Sequence, residues 1–311
     1  MTETPKLPRK RMGCLAAGVL GVAGIALFYL LPVPQVPFEQ LYAGVEPAKA
    51  RALQAFRATH PLRSVRVKKR EWHYLVVGEG KRTILFLHGM TGAPDIWFQQ
   101  MDALRSEYRM IAVTYPPVNS LKDMDTGISV ILDREGVQRC AVVGSSLGGY
   151  LAQYLVQKYP DKFTHAVFAN TFPPNDAIER ENRARAAILP WLPNWLVMRF
   201  VRQNVEQTVV PAAGNDSLTR AFLLEMTYGR MNKQQFLARY RCIIEQFPVK
   251  PVSTPVLIVE SANDPLVQPA LREQMRALYP NARVHVFQDA GHFPYLNEPE
   301  AFTRLIREFV R

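Results

Sequence analysis

The stretch that most constrains this chain is Cys140–Tyr159, reading CAVVGSSLGGYLAQYLVQKY. Cys140, Ala141, Val142 and Val143 form a short apolar run of the kind that makes a fully buried strand. Gly144, Ser145, Ser146, Leu147 and Gly148 then spell G-x-S-x-G, and Tyr150, Leu151, Tyr154, Leu155 and Tyr159 recur at helical spacing. Strand, tight turn and helix in that order make a nucleophile elbow. The turn forces its central serine into a strained conformation with the hydroxyl clear of the sheet edge. Glycines two before and two after remove the side chains that would strike strand and helix. Ser146 is therefore the candidate nucleophile, with Gly144 and Gly148 supporting it. A glycine-rich turn carrying an incidental serine reads the same way, so the rest of the chain has to decide.

At 311 residues the chain suits one large α/β domain, or one domain with an insertion. Its net charge of +11 comes from scattered basic residues without aromatic interleaving, which argues against a nucleic-acid partner. A basic surface of this kind suits anionic lipid headgroups instead. Cys14, Cys140 and Cys242 have neither metal-ligand spacing nor a disulfide framework. With no H-x-x-H and no clustered acids, neither a metal nor another cofactor is expected.

Residues 1–12 read as a basic cytoplasmic tail, with Lys6, Arg9, Lys10 and Arg11 against Glu3. Residues 13–31, GCLAAGVLGVAGIALFYLL, carry no charge and read as an uncleaved transmembrane signal anchor. The basic flank precedes the span, so the positive-inside rule keeps the N-terminus in the cytoplasm. The catalytic domain is then expected on the far, periplasmic or extracytoplasmic side, with the membrane as a partner. Residues 32–62 form a proline-rich linker and a lead-in helix over 47–59. From there strands alternate with helices at the spacing of a mostly parallel sheet covered on both faces. That core is assigned to 63–175 and 249–311. Between its halves, 176–248 is helix-rich and carries the apolar patch Ile188–Val197.

A serine hydroxyl needs a base, and the base needs an orienting acid. Of six histidines, His292 stands in a loop just past the last strand, at the C-terminal edge where catalytic groups of parallel sheets collect. His60 lies in the linker, His73 in an early strand, His165 at a strand start and His285 inside the last strand. Asp264, in Ser261-Ala262-Asn263-Asp264-Pro265, lies at the same edge and is the favoured acid. Asp176 is its rival, two prolines beyond an earlier strand, and Asp289 is a turn residue before Gly291. The chain order Ser146, Asp264, His292 is that of an α/β-hydrolase triad.

The motifs HGMTG, GSSLGGYLAQ, SANDPLV and DAGHFPYLNEP, in that order, resemble the α/β-hydrolase superfamily from about Val65 to the C-terminus. The elbow, Tyr279-Pro280-Asn281-Ala282-Arg283 and the segment around Gly291 resemble the maspardin branch in particular. The resemblance implies an α/β-hydrolase fold with an inserted helical cap, here preceded by the transmembrane helix. It implies an oxyanion hole from the backbone N–H groups of Met90 and Leu147, with His88 and Gly89 shaping the loop. It makes 176–248 the cap, with Trp191 and Trp195 either packing it or lining an acyl pocket. The implied activity is a serine hydrolase acting on a small-molecule or lipid ester or thioester. The maspardin branch, better known for binding than for a defined reaction, supplies the alternative of a non-catalytic binder of a protein partner. A cofactor-free haloperoxidase-type reaction on the same triad is a third reading.

Overall fold

The computed structural model describes the chain from Arg9 to Arg311, with side chains from Leu20 onward. Eight strands form one sheet: β1 (Arg63–Val67), β2 (Arg70–Val77), β3 (Arg82–Leu87), β4 (Tyr108–Thr114), β5 (Cys140–Ser145), β6 (Phe163–Ala169), β7 (Val256–Ser261) and β8 (Arg283–Phe287). They lie in the order β1-β2-β4-β3-β5-β6-β7-β8. β2 alone runs opposite to the other strands, and the six strands from β4 to β8 in sheet order are mutually parallel. The chain leaves β3 for β4 on one side and returns to β5 on the other. The order therefore reverses at β3, and the crevice beyond the carboxyl ends of β3 and β5 is where such sheets bind ligands.

Alternation along β3 shows why the sheet needs cover on both faces. Ile84 and Phe86 enter one apolar cluster, while Leu85 and Leu87 enter the other. In chain order the helices are α1 (Arg9–Leu30), α2 (Phe38–Leu41), α3 (Pro47–Thr59), α4 (Phe98–Leu104), α5 (Leu121–Arg134), α6 (Leu147–Lys158), α7 (Ala177–Ile188), α8 (Asn194–Asn204), α9 (Val210–Ala212), α10 (Ser217–Glu225), α11 (Lys233–Ile244), α12 (Pro269–Leu278), α13 (Pro294–Asn297) and α14 (Pro299–Phe309). Helices α7 to α11 all fall between β6 and β7, where the strand–helix alternation breaks in the sequence. The lead-in helix α3 docks by burying Leu53 and Phe56. Its Arg57 pairs with Asp95 at 2.7 Å and with Glu225 at 2.7 Å, tying it to the core and to the inserted helices at once.

The membrane reading is corrected. Among the described residues, no helix is long and apolar enough to cross a membrane. That overturns the transmembrane anchor at 13–31, the single-pass topology, and the membrane partnership drawn from it. Residues 1–8 of the expected tail lie outside the described residues. The aromatic end of the 13–31 run engages the inserted helices instead. The Trp195 indole N–H donates to the Phe28 carbonyl at 2.8 Å, with the two rings edge-to-face at 5.3 Å. The Tyr29 hydroxyl donates to the Trp191 carbonyl at 2.7 Å.

Candidate active site

The elbow is built from backbone contact. Ser146 sits between β5 and α6 with φ 54° and ψ −120°, a conformation that L-residues other than glycine seldom adopt. It is held there on both sides of the residue. Its N–H donates to the Ala169 carbonyl at 3.0 Å, and its carbonyl accepts from the Thr171 hydroxyl at 2.7 Å. A Cβ on Gly148 would fall 2.0 Å from the Leu87 carbonyl oxygen, and one on Gly144 would fall 2.2 Å from that of Gly148. Only glycine permits strand and helix to approach so closely. The Ser146 side chain is left half-buried while its neighbours are buried.

The acid and the base meet. Asp264 Oδ2 accepts from His292 Nδ1 at 2.8 Å, which leaves Nε2 as the free nitrogen of the ring. Asp264 Oδ2 also accepts from Asn170 Nδ2 at 2.9 Å, and Oδ1 from the Leu266 N–H at 2.9 Å. Burial opposes the charge on Asp264. The positive potential and hydrogen bond of His292, with the bonds from Asn170 and Leu266, outweigh it and hold the carboxyl below the usual range. The His292 loop is fixed separately. The Gly291 N–H donates to Asn263 Oδ1 at 2.9 Å, and the His292 N–H to the Ala212 carbonyl of α9 at 2.8 Å. Among the described residues no hydrogen bond joins Ser146 Oγ to His292. In free hydrolases that bond is commonly long and tightens with substrate.

The loop after β3 faces the elbow. A Cβ on Gly89 would stand 3.2 Å from Ser146 Cβ, so this loop abuts the serine. The Met90 N–H donates to no protein acceptor among the described residues. Leu147 is the first residue of α6, where an N–H has no intrahelical partner and the helix end is positive. His88 is fully buried, packs against Tyr115 with ring centroids 4.3 Å apart and tilted by 37°, and donates from Nδ1 to the Gly89 carbonyl at 2.7 Å. Burial, aided by the nearby Arg239 charge, pushes its pKa well below the usual value, so the ring is neutral.

The other expectations fall elsewhere. Asp176 stands just before α7 without a side-chain capping bond and pairs with Arg180 rather than with His292, and Asp289 is exposed. Trp191 is 78% exposed, its carbonyl accepts from Tyr29 of α1, and the Trp195 indole donates to the Phe28 carbonyl of α1. Two residues escaped the sequence reading. Asn170 ends β6 at φ 42° and braces Asp264, Ser261 and Gly291 through one amide nitrogen. Its place after a strand of the catalytic edge was the available signal. Arg239 reaches the loop after β3 from α11, and nothing in its local sequence marks it.

The signature of the alpha/beta hydrolase fold matches residues 82–299, well over half of the chain. The chain belongs to the α/β-hydrolase fold family. Maspardin of Danio rerio is 27% identical over 255 residues, covering 78% of this chain and 79% of that protein. The likeness to the maspardin branch thus extends well beyond the short motifs that first suggested it. Among solved structures, an enol-lactonase from Burkholderia xenovorans LB400 superposes with a TM-score of 0.69 at 16% identity, covering 79% of this chain and 99% of that one. A bacterial membrane phospholipase A superposes with a TM-score of 0.63 at 20% identity, covering 96% of this chain and 97% of that one. At such identities the structural likenesses establish the fold. This hydrolase therefore presents a serine elbow and a buried Asp–His pair, with the Gly89 loop against the elbow serine.

Proposed function

We propose that this hydrolase cleaves a carboxylic ester or thioester through an acyl-enzyme. Ser146 attacks the acyl carbonyl, His292 Nε2 takes the proton and returns it to the leaving group, and Asp264 holds the imidazole. The N–H groups of Met90 and Leu147 receive the oxyanion, each such donor being worth ~3 kcal/mol of barrier. Water then repeats the sequence on the acyl-enzyme. The observation that carries this reading is the buried 2.8 Å bond from His292 Nδ1 to Asp264, beside a serine held at positive φ. Helices α7 to α11, within 176–248, serve as a cap over a core of 63–175 and 249–311. The enol-lactonase and the phospholipase A among the structural neighbours support proposing a small or lipid ester as substrate.

Turnover of short p-nitrophenyl esters tests the reading. Ser146→Ala is expected to lower kcat by ~10⁴-fold or more, and unchanged turnover in the folded variant would sink it. A second reading is a binder of the maspardin kind, in which the cap recognises a protein partner. It is favoured by the maspardin relatives. On that reading wild type and Ser146→Ala are equally inert toward every ester.

A further inference from the structure

Arg239 is the one arginine among the described residues that is fully buried, and no carboxylate pairs with it. It projects from α11, the last helix before β7, into the loop after β3. Its Nη1 donates to the Met90 carbonyl at 2.7 Å and the Gly92 carbonyl at 3.1 Å, and approaches Met231 Sδ at 3.4 Å. Among the described residues its Nε and Nη2 have no protein partner, and neither does His88 Nε2. The guanidinium carbon lies 5.6 Å from the Tyr115 ring centroid, and Tyr115 in turn packs against His88 and donates to the His88 carbonyl at 3.1 Å.

A buried charge without a counter-charge is costly, and two idle donors raise the cost. Burial lowers the guanidinium pKa to about 10 without neutralising it at pH 7. A fold with only packing to satisfy at this position would do better with an apolar side chain. What Arg239 does make is a clamp on carbonyls of the loop that carries the Met90 N–H. The other side of that loop is held by His88, whose Nδ1–H bonds the Gly89 carbonyl, and by the Gly92 N–H, which donates to the same oxygen at 3.2 Å. The Gly89–Met90 peptide is planar, so fixing its carbonyl aims the Met90 N–H the opposite way. Residues on both sides of that peptide are thus fixed, one by His88 and one by Arg239.

We propose that Arg239 is a positioning residue, through which the inserted helices hold the Met90 N–H at the distance an acyl oxyanion requires. The proposal rests on the acyl-transfer reading of the same site. It makes catalysis depend on the seating of α11, since α11 supplies the clamp, while substrate contact does not involve Arg239.

Arg239→Met keeps the volume and removes both the clamp and the unpaired charge, while Arg239→Gln keeps a donor amide. In wild type and both variants, we would measure ester kcat and KM, thermal unfolding, and Ki for a trifluoromethyl ketone and for the acid product. Arg239→Met is expected to lose ~10–100-fold in kcat with KM within about threefold, and to bind the ketone correspondingly less well. Product Ki and unfolding midpoint are expected to hold, and Arg239→Gln to recover part of kcat. Unchanged kcat in Arg239→Met contradicts the proposal. So does equal weakening of ketone and product, which would place Arg239 in ground-state binding, or unfolding of both variants, which would make it purely structural. The Ser146→Ala control separates this failure from failure of the underlying reading: if that variant turns over normally, the acyl-enzyme itself is wrong, whatever Arg239 does.

Discussion

The elbow and the inserted helices are held in place with different demands on residue type. Around Ser146, strand and helix touch backbone to backbone, and every residue of β5 is buried. Helix α7 of the insertion buries none of its residues, and Trp191 just beyond it stands 78% exposed. Helices α8 and α10 of the insertion pack Met198, Phe222 and Leu223 into the apolar cluster of the core, and polar links join the two as well, among them Ala212 to His292, Arg239 to Met90, and Glu225 to Arg57. Packing at backbone contact admits one residue type and tolerates no change. Attachment through apolar side chains and scattered polar links tolerates many sequences and leaves little pattern to read.

Glycine substitutions separate the two regions most sharply. Gly148→Ala drives a methyl group into the Leu87 carbonyl and is expected to cost ~3 kcal/mol or more in urea unfolding. A cost below 1 kcal/mol would mean that the strand–helix approach is looser than described. Acid sensitivity is the next difference, because the insertion at 176–248 contains no histidine. His88 is held neutral with its pKa well below 6.5, so below that pH the unfolded chain binds a proton that the folded chain refuses. Stability should therefore fall as pH drops through 6.5, by up to ~1.4 kcal/mol per pH unit from this residue. His88→Gln should flatten that slope relative to wild type, and an unchanged slope between pH 6.5 and 5 would show that His88 is not held neutral. The smallest effect belongs to Gly214 in the insertion, where a Cβ meets open space and only φ +65° resists substitution. Gly214→Ala is expected to cost ~1 kcal/mol, and a loss matching that of Gly148→Ala would erase the contrast.

The same contrast explains what could be read beforehand. The parallel sheet, its alternating helices and the edge carrying Ser146, Asp264 and His292 were legible because buried strands and tight turns restrict residue type. Gly144 and Gly148 announce themselves in one dimension. The N-terminal run misled. Hydropathy alone made 13–31 a membrane span, yet the described part of α1 ends by packing Phe28 and Tyr29 against the insertion. Asn170 was missed because its function depends on β7 and on the His292 loop, both far off in sequence. Arg239 was missed for the same reason, at a separation of 149 residues from Met90.

Whether the elbow turns over a substrate is decided most directly by covalent labelling. A fluorophosphonate probe on the folded protein at neutral pH should attach at Ser146, with labelling abolished in Ser146→Ala and slowed by at least ~10³-fold in His292→Ala. Absence of labelling in folded wild type, or labelling that persists in Ser146→Ala, would contradict the account and leave the binding reading in its place.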